Sequence, residues 1–173
     1  MINRIGMVPF RKLTKADLRL LSSFASTECS DEALSAVCNQ MSGEGDVFLT
    51  VTDGMLCLRQ YVGGVYYYSW PVGSGNLRLV LVQIMEDAER FGTSWCMVGV
   101  PTVEKDAMER ALPSHFLYEN SEPYSRLSVV RLHETLHGVV PSLVARAKHG
   151  YRDSLFYNNE RMVPTVGEDG WES

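Results

Sequence analysis

The sequence lacks the spacings that mark a metal or redox site. Its four cysteines, Cys29, Cys38, Cys57 and Cys96, form no CxxC pair, and no Cys/His group has zinc spacing. Cys57 and Cys96 lie in apolar, strand-like runs, where a thiol behaves as a small buried hydrophobe. No apolar run approaches the roughly 18 residues of a membrane span. The N-terminal segment carries Arg4, Arg11 and Lys12 but no apolar stretch long enough for a signal peptide. These features predict a reduced, cytoplasmic protein with no membrane span. Positive charge is in short supply: 16 Lys and Arg stand against 21 Asp and Glu, a formal charge of −5, which argues against nucleic acid as the main partner. Internal repeats and low-complexity tracts are missing as well.

What is present fits one globular domain with a real core: 173 residues, 45% hydrophobic and 21% charged. Charge is unevenly placed. Residues 1–125 carry 10 basic and 15 acidic side chains, residues 126–161 six and three, and the last twelve residues add −3. The basic segment holds Arg146, Lys148, His149 and Arg152, a candidate nucleic-acid contact set against the simpler reading of a solvated surface.

Periodicity and turn chemistry order the chain. Arg4 to Phe10 reads as an edge strand, since Pro9 cannot donate to a ladder. Thr14 is a candidate N-cap with Asp17 in the first turn of a helix buried through Leu18, Leu20, Leu21 and Phe24. Ser30-Asp31-Glu32 opens a second helix to about Met41, with Ala33, Leu34, Val37 and Cys38 on one face. Ser42-Gly43-Glu44-Gly45 ends it. A β-meander follows: 47–52, 55–61 and 65–70, joined by Asp53-Gly54 and Gly63-Gly64, which suit two-residue hairpin turns. Leu77, Val80, Leu81, Ile84, Ala88 and Phe91 then recur at helical spacing, with Asp87 at the edge of the stripe and Gly92 as the stop. Residues 94–100 read as a buried central strand, 104–112 as a short helix, 115–119 and 125–132 as two last strands, and 141–148 as a helix. The predicted order is β-α-α-β-β-β-α-β-α-β-β: an α/β fold with a mixed sheet and helices on both faces.

The loop Pro71-Val72-Gly73-Ser74-Gly75-Asn76 is the strongest candidate site. Two glycines let backbone approach a ligand, and the helix that follows presents unpaired N–H groups to a phosphate; a tight connection that needs glycine for its geometry is the competing reading. Position 78 is Arg, so the stretch is neither a G-x-G-x-x-G fingerprint nor a P-loop.

The element order resembles the acetyltransferase fold of the GNAT superfamily, in which a loop of pattern Arg/Gln-x-x-Gly-x-Gly/Ala cradles the pyrophosphate of acyl-CoA. Here the matching stretch runs from Trp70 to Gly75, with the glycines in place and Trp at the first position. Over residues 8–132 the chain resembles the DUF2156 family, which includes the cytoplasmic C-terminal region of phosphatidylglycerol lysyltransferases. The matching pieces are Phe10 to Leu18, Asp53-Gly54-Met55-Leu56, Tyr67 to Gly73, Val98-Gly99-Val100-Pro101 and Tyr124-Ser125-Arg126. The resemblance implies a GNAT-like first half, in a family that usually has two and transfers an aminoacyl group from tRNA. It divides the chain into a GNAT-like domain at 1–135, a helical, basic extension packed on it at 136–162, and an acidic tail at 163–173. It implies acyl-CoA or an aminoacyl donor held by Val72, Gly73, Ser74, Gly75 and Asn76. Tyr118 and Tyr124 lie where GNAT enzymes often keep a tyrosine that protonates the leaving thiolate, and Tyr124 is the candidate acid.

Other residues are weaker candidates. Glu119 and Glu122 can serve as a base through water, but surface turn carboxylates are commoner. His115, at a strand start, reads as solvent-facing. His133 and His137 lie four apart and can share a helix face, with no metal expected there. Tyr66, Tyr67, Tyr68 and Trp70 put aromatics on both faces of one strand, for core packing or for a cleft or subunit interface. Two functions follow: an acyl- or aminoacyl-transferase, or a non-catalytic module of the same fold that binds a protein partner or a second copy of itself.

Overall fold

The structure is a computed structural model, and it describes residues 8–41 and 45–148. The elements are β1 (Arg11–Lys12), α1 (Leu18–Phe24), α2 (Asp31–Gln40), β2 (Val47–Thr52), β3 (Met55–Val62), β4 (Val65–Ser69), β5 (Val72–Gly73), α3 (Leu77–Phe91), β6 (Ser94–Pro101), α4 (Lys105–Ala111), β7 (Phe116–Asn120), α5 (Ser128–His137) and β8 (Ser142–Ala147). They form one sheet in the order β1-β2-β3-β4-β6-β8-β7, with β5 paired to β3. Every pairing is antiparallel except β4 with β6.

The alternation of each strand feeds two cores. On one face Met55, Cys57, Tyr68, Trp95 and Met97 pack against Val80, Leu81, Ile84 and Ala88 of α3 and Met108 of α4. On the other, Leu56, Leu58, Cys96 and Val98 pack against Leu21 of α1, Leu34 of α2, and Val129, Leu132 and Leu136 of α5. The sheet is therefore mixed, mostly antiparallel and covered by helices on both faces, as expected.

The predicted meander is present, with turns at Asp53-Gly54 and Gly63-Gly64. So are the three helices after Thr14, Ser30 and Asn76. The Asp17 carboxylate accepts from the Thr14 N–H at 2.8 Å, Ser30 Oγ from the Ala33 N–H at 3.1 Å, and Asn76 Oδ1 from the Leu79 N–H at 3.1 Å.

Helix α3 is pinned to the sheet by a buried carboxylate at what the sequence reads as the edge of its apolar stripe. Asp87 accepts from Tyr68 Oη at 2.6 Å, Arg59 at 2.9 Å and Arg90 at 2.7 Å. The Arg59 guanidinium lies over the rings of Phe10, Phe48 and Phe91 at 4.5, 5.1 and 5.1 Å, so its charge meets both a carboxylate and aromatic faces. Burial, then the Asp87 carboxylate, pushes the Tyr68 hydroxyl far above its ordinary range.

Three expectations are corrected. The N-terminal strand is Arg11–Lys12, and residues 8–10 are not strand; 4–7 lie outside the described residues. The stretch read as a strand over 125–132 becomes helix α5, because Val129, Val130, Leu132, His133 and Leu136 bury at helical spacing. Its start has no local cap; the Val129 N–H instead donates to Gln60 Oε1 of β3, 69 positions away, at 3.0 Å. The stretch read as a helix over 141–148 is strand β8, paired on both sides between β6 and β7. Residues 142–147 thus complete the sheet and do not extend from it, and the pairing partners on both sides override the helix-forming Ala and Arg of that segment. The basic residues His149 and Arg152, and the tail at 163–173, lie outside the described residues.

Candidate functional site

The parallel pair β4 and β6 stays in register from Val65 opposite Ser94 to Ser69 opposite Val98. The Trp70 N–H makes one more bond, to the Val98 carbonyl at 2.9 Å. From there the chains part: β5 follows β3, with Val72 opposite Leu56, while β6 follows β8, with Val100 opposite Leu143. Two irregularities make the fork. At Ser69 the ladder to β3 is broken, and the Leu58 N–H donates to Ser69 Oγ at 2.8 Å. At Gly99, with φ +74°, a bulge shifts the register between Met97 and Val100, and Val100 joins the same core as Met97 rather than the opposite one.

Here both faces of the fork are filled. Trp70 and Val100 close one and are buried in the α3 side of the core. His133 of α5 closes the other: a Cβ at Gly99 would come within 2.5 Å of its Nδ1, and the ring is hydrogen-bonded to the Trp70 backbone. Burial, with the neighbouring His137, pulls the His133 pKa down to about 4, so the ring is neutral at physiological pH. Between His133, Tyr124, Ser121, Gly99 and His137 remains a pocket of about 10 Å³, room for about one water molecule.

The glycine loop lies at the head of the same fork. Gly73 to Asn76 are exposed, whereas Val72 is buried. Its glycines are set by the hairpin turn packed on them: a Cβ at Gly73 would collide with the Gly54 carbonyl, and one at Gly75 with the Asp53 carbonyl. The Asn76 N–H, directed at the anion position of a helix start, donates to the Asp53 carboxylate at 2.6 Å. The Leu79 N–H is taken by the Asn76 side chain. The first two amides of the helix, Leu77 and Arg78, have no partner within it. A carboxylate of the chain itself thus takes one amide of the helix start and places negative charge beside the others.

Tyr124 lines the small pocket with its ring, but its hydroxyl points elsewhere. It donates to Glu119 Oε1 at 2.8 Å, and Arg146 holds the other oxygen of that carboxylate at 2.7 Å. Burial and the adjacent carboxylate push the Tyr124 hydroxyl up to about 12, and the bonds from Tyr124 and Arg146 hold Glu119 below the usual carboxylate range. Tyr118 bonds Glu109 instead, at 3.3 Å. Glu122 is exposed in the following turn. His115, expected to face solvent, is 8% exposed, with Nδ1 3.0 Å from the Pro113 carbonyl; this is a correction, caused by its packing at the start of β7. Arg146, expected in a basic contact surface, is paired with Glu119.

The fork therefore brings together the glycine loop, Trp70 and His133, with Tyr124 beside them and its hydroxyl turned away. Sequence reasoning missed Asp53, read only as a turn residue, and the use of His133. The signal for His133 was its spacing: His133-Glu134-Thr135-Leu136-His137 puts two imidazoles one turn apart around a glutamate. No helix among the described residues is long and apolar enough to cross a membrane.

No family model and no curated protein matches the sequence. Among solved structures, the chain is similar to a conserved protein of unknown function from Bacteroides thetaiotaomicron VPI-5482, with a TM-score of 0.55 and 30% identity over 65% of this chain and 38% of that one. The chain thus spans well under half the length of that protein. It is also similar to a candidate acetyltransferase of the GNAT family from Desulfovibrio desulfuricans, with a TM-score of 0.41 and 12% identity over 81% and 96% of the two chains. The strand order, with the one parallel pair β4–β6 in an otherwise antiparallel sheet, is that of the mixed, mostly antiparallel α/β fold expected from the sequence.

Proposed function

We propose that this chain uses a GNAT-like fold as a protein-binding module and is not by itself an acyl- or aminoacyl-transferase. One observation carries this reading: the Asp53 carboxylate bonded to the Asn76 N–H, a negative charge at the helix start that would repel a donor phosphate. The filled fork at Trp70 and His133 supports it. So do Val103, 88% exposed, and Val139, 84% exposed, on segments held side by side by the Thr102 N–H to Pro141 carbonyl bond at 2.9 Å. Apolar side chains left in water at the open end of a sheet suit a partner surface.

Thermal shift with acetyl-CoA, CoA and pyrophosphate tests the first half of this reading; no stabilisation at millimolar ligand is expected. Stabilisation of the intact chain that is lost in Gly73→Trp would overturn it. Light scattering with and without Val139→Glu tests the second half. A dimer dissolved by the substitution identifies the partner as a second copy, and a monomer identifies it as another protein.

A second reading is favoured by the exposure of Gly73 to Asn76. In it Val72, Gly73, Ser74, Gly75 and Asn76 hold an acyl-CoA or aminoacyl donor after Asp53 swings away, and Tyr124 protonates the leaving group. Turnover with an amine acceptor, lost in Tyr124→Phe and in Gly73→Trp, would establish it.

A further inference from the structure

The two histidines of α5 are incompletely used by the fold. His133 is 3% exposed. One of its nitrogens is hydrogen-bonded to the Trp70 backbone, and Nε2 has no partner. An unsatisfied buried polar atom is destabilising, so a group that fills the space beside it is expected. His137 stacks on His133, with ring centroids 5.3 Å apart and planes 24° apart. Both line the small pocket at the fork, whose walls also include Glu134, Ser121 and Ser142. His137 and Glu134 are half-buried, which gives the pocket a mouth.

This is the arrangement of a ligating pair. Residues four apart share one helix face, and two imidazoles in His-Glu-x-x-His order on a helix can converge on one ion. A ligating histidine is usually fixed by its second nitrogen donating to a carbonyl, which turns the other lone pair to the metal. Trp70 supplies that fixing group for His133.

We propose that His133 Nε2 and His137 chelate one divalent cation of the zinc, cobalt or copper class in the small pocket, with solvent completing the coordination from its mouth beside His137 and Glu134. Imidazole ligands favour these ions over magnesium or calcium. Among the described residues no group of three His, Cys, Asp or Glu side chains is placed to hold an ion, so the site is an open two-ligand chelate and not a closed structural zinc centre. The ion clasps the last turn of α5 over Gly99.

The test uses the full, tag-free chain. Calorimetry with Zn²⁺ is expected to give one site per chain, and Co²⁺ is expected to develop visible absorption bands. Zn²⁺ raises the melting temperature, and Mg²⁺ at the same concentration does not. His137→Gln weakens zinc binding by at least about tenfold, the loss common even for groups behind the ligands. Because His133 is packed in the core, it is read without substitution: its Nε2 NMR resonance shifts on addition of Zn²⁺. An absent heat signal, unchanged affinity in His137→Gln, or an unmoved His133 resonance would overturn the proposal. Binding lost instead in a Cys29→Ser/Cys38→Ser variant would overturn it too, as adventitious thiol binding.

Discussion

Gly99 leaves the space that the His133 ring occupies: a Cβ at position 99 would come within 2.5 Å of Nδ1, and the backbone there has φ +74°. Gly99→Ala therefore has both to strain the backbone and to push the imidazole off Trp70. We expect a loss of about 2–4 kcal/mol, combining backbone strain and overpacking, read as a lower urea midpoint at unchanged slope. A loss under about 0.5 kcal/mol, the scale of ordinary surface changes, would mean that α5 yields easily and does not plug the fork.

Asp53→Asn keeps a residue that tolerates the left-handed turn at φ 50° but removes the charge from the helix start. We expect stabilisation by pyrophosphate or CoA to appear in the variant while the parent shows none. Equal indifference of both proteins would show that the carboxylate is not what keeps anions away.

Acid should weaken the fold before ordinary carboxylates titrate. The His133 pKa falls from 6.5 to about 4 in the folded chain. Between those values the unfolded chain binds the extra proton, so stability falls as pH falls through that window, by up to about 3 kcal/mol. Asp17 and Glu119, both held below the usual carboxylate range, add their losses only at lower pH. Urea midpoints at pH 7 and pH 5 should differ by less in His133→Gln than in the parent. An equal difference would place the titrating group elsewhere.

Asp87→Asn leaves the largely buried Arg59 guanidinium without its neutralising carboxylate. Breaking a buried pair of this kind costs about 3–5 kcal/mol, and we expect that loss in chemical denaturation. Asp53→Asn, at the exposed end of the same sheet, should stay within about 1 kcal/mol of the parent.

Short-range features were legible in the sequence and long-range ones were not. Asp53-Gly54 and Gly63-Gly64 announced the meander, and the spacing from Leu77 to Phe91 announced α3. The last two elements were exchanged because their signals are tertiary. Leu127, at the N-cap, has no side chain that can cap, and α5 starts where Gln60 of β3 offers its side chain. Residues 142–147 become a strand because β6 and β7 each offer an edge. The glycine loop was visible and its cause was not: Gly75 is set by a hairpin turn more than twenty positions earlier.

The place of β8 also fixes when the sheet can close. Its two neighbours precede it in the chain, and it must slide between them. Until residues 142–147 have left the ribosome, β6 has a bare edge at Cys96 and Met97, and β7 has no strand to lie against. A nascent chain stopped at His137 thus carries two templates for unwanted strand pairing. Strand β8 covers both edges at once, and the exposure it ends is longest in a chain made slowly.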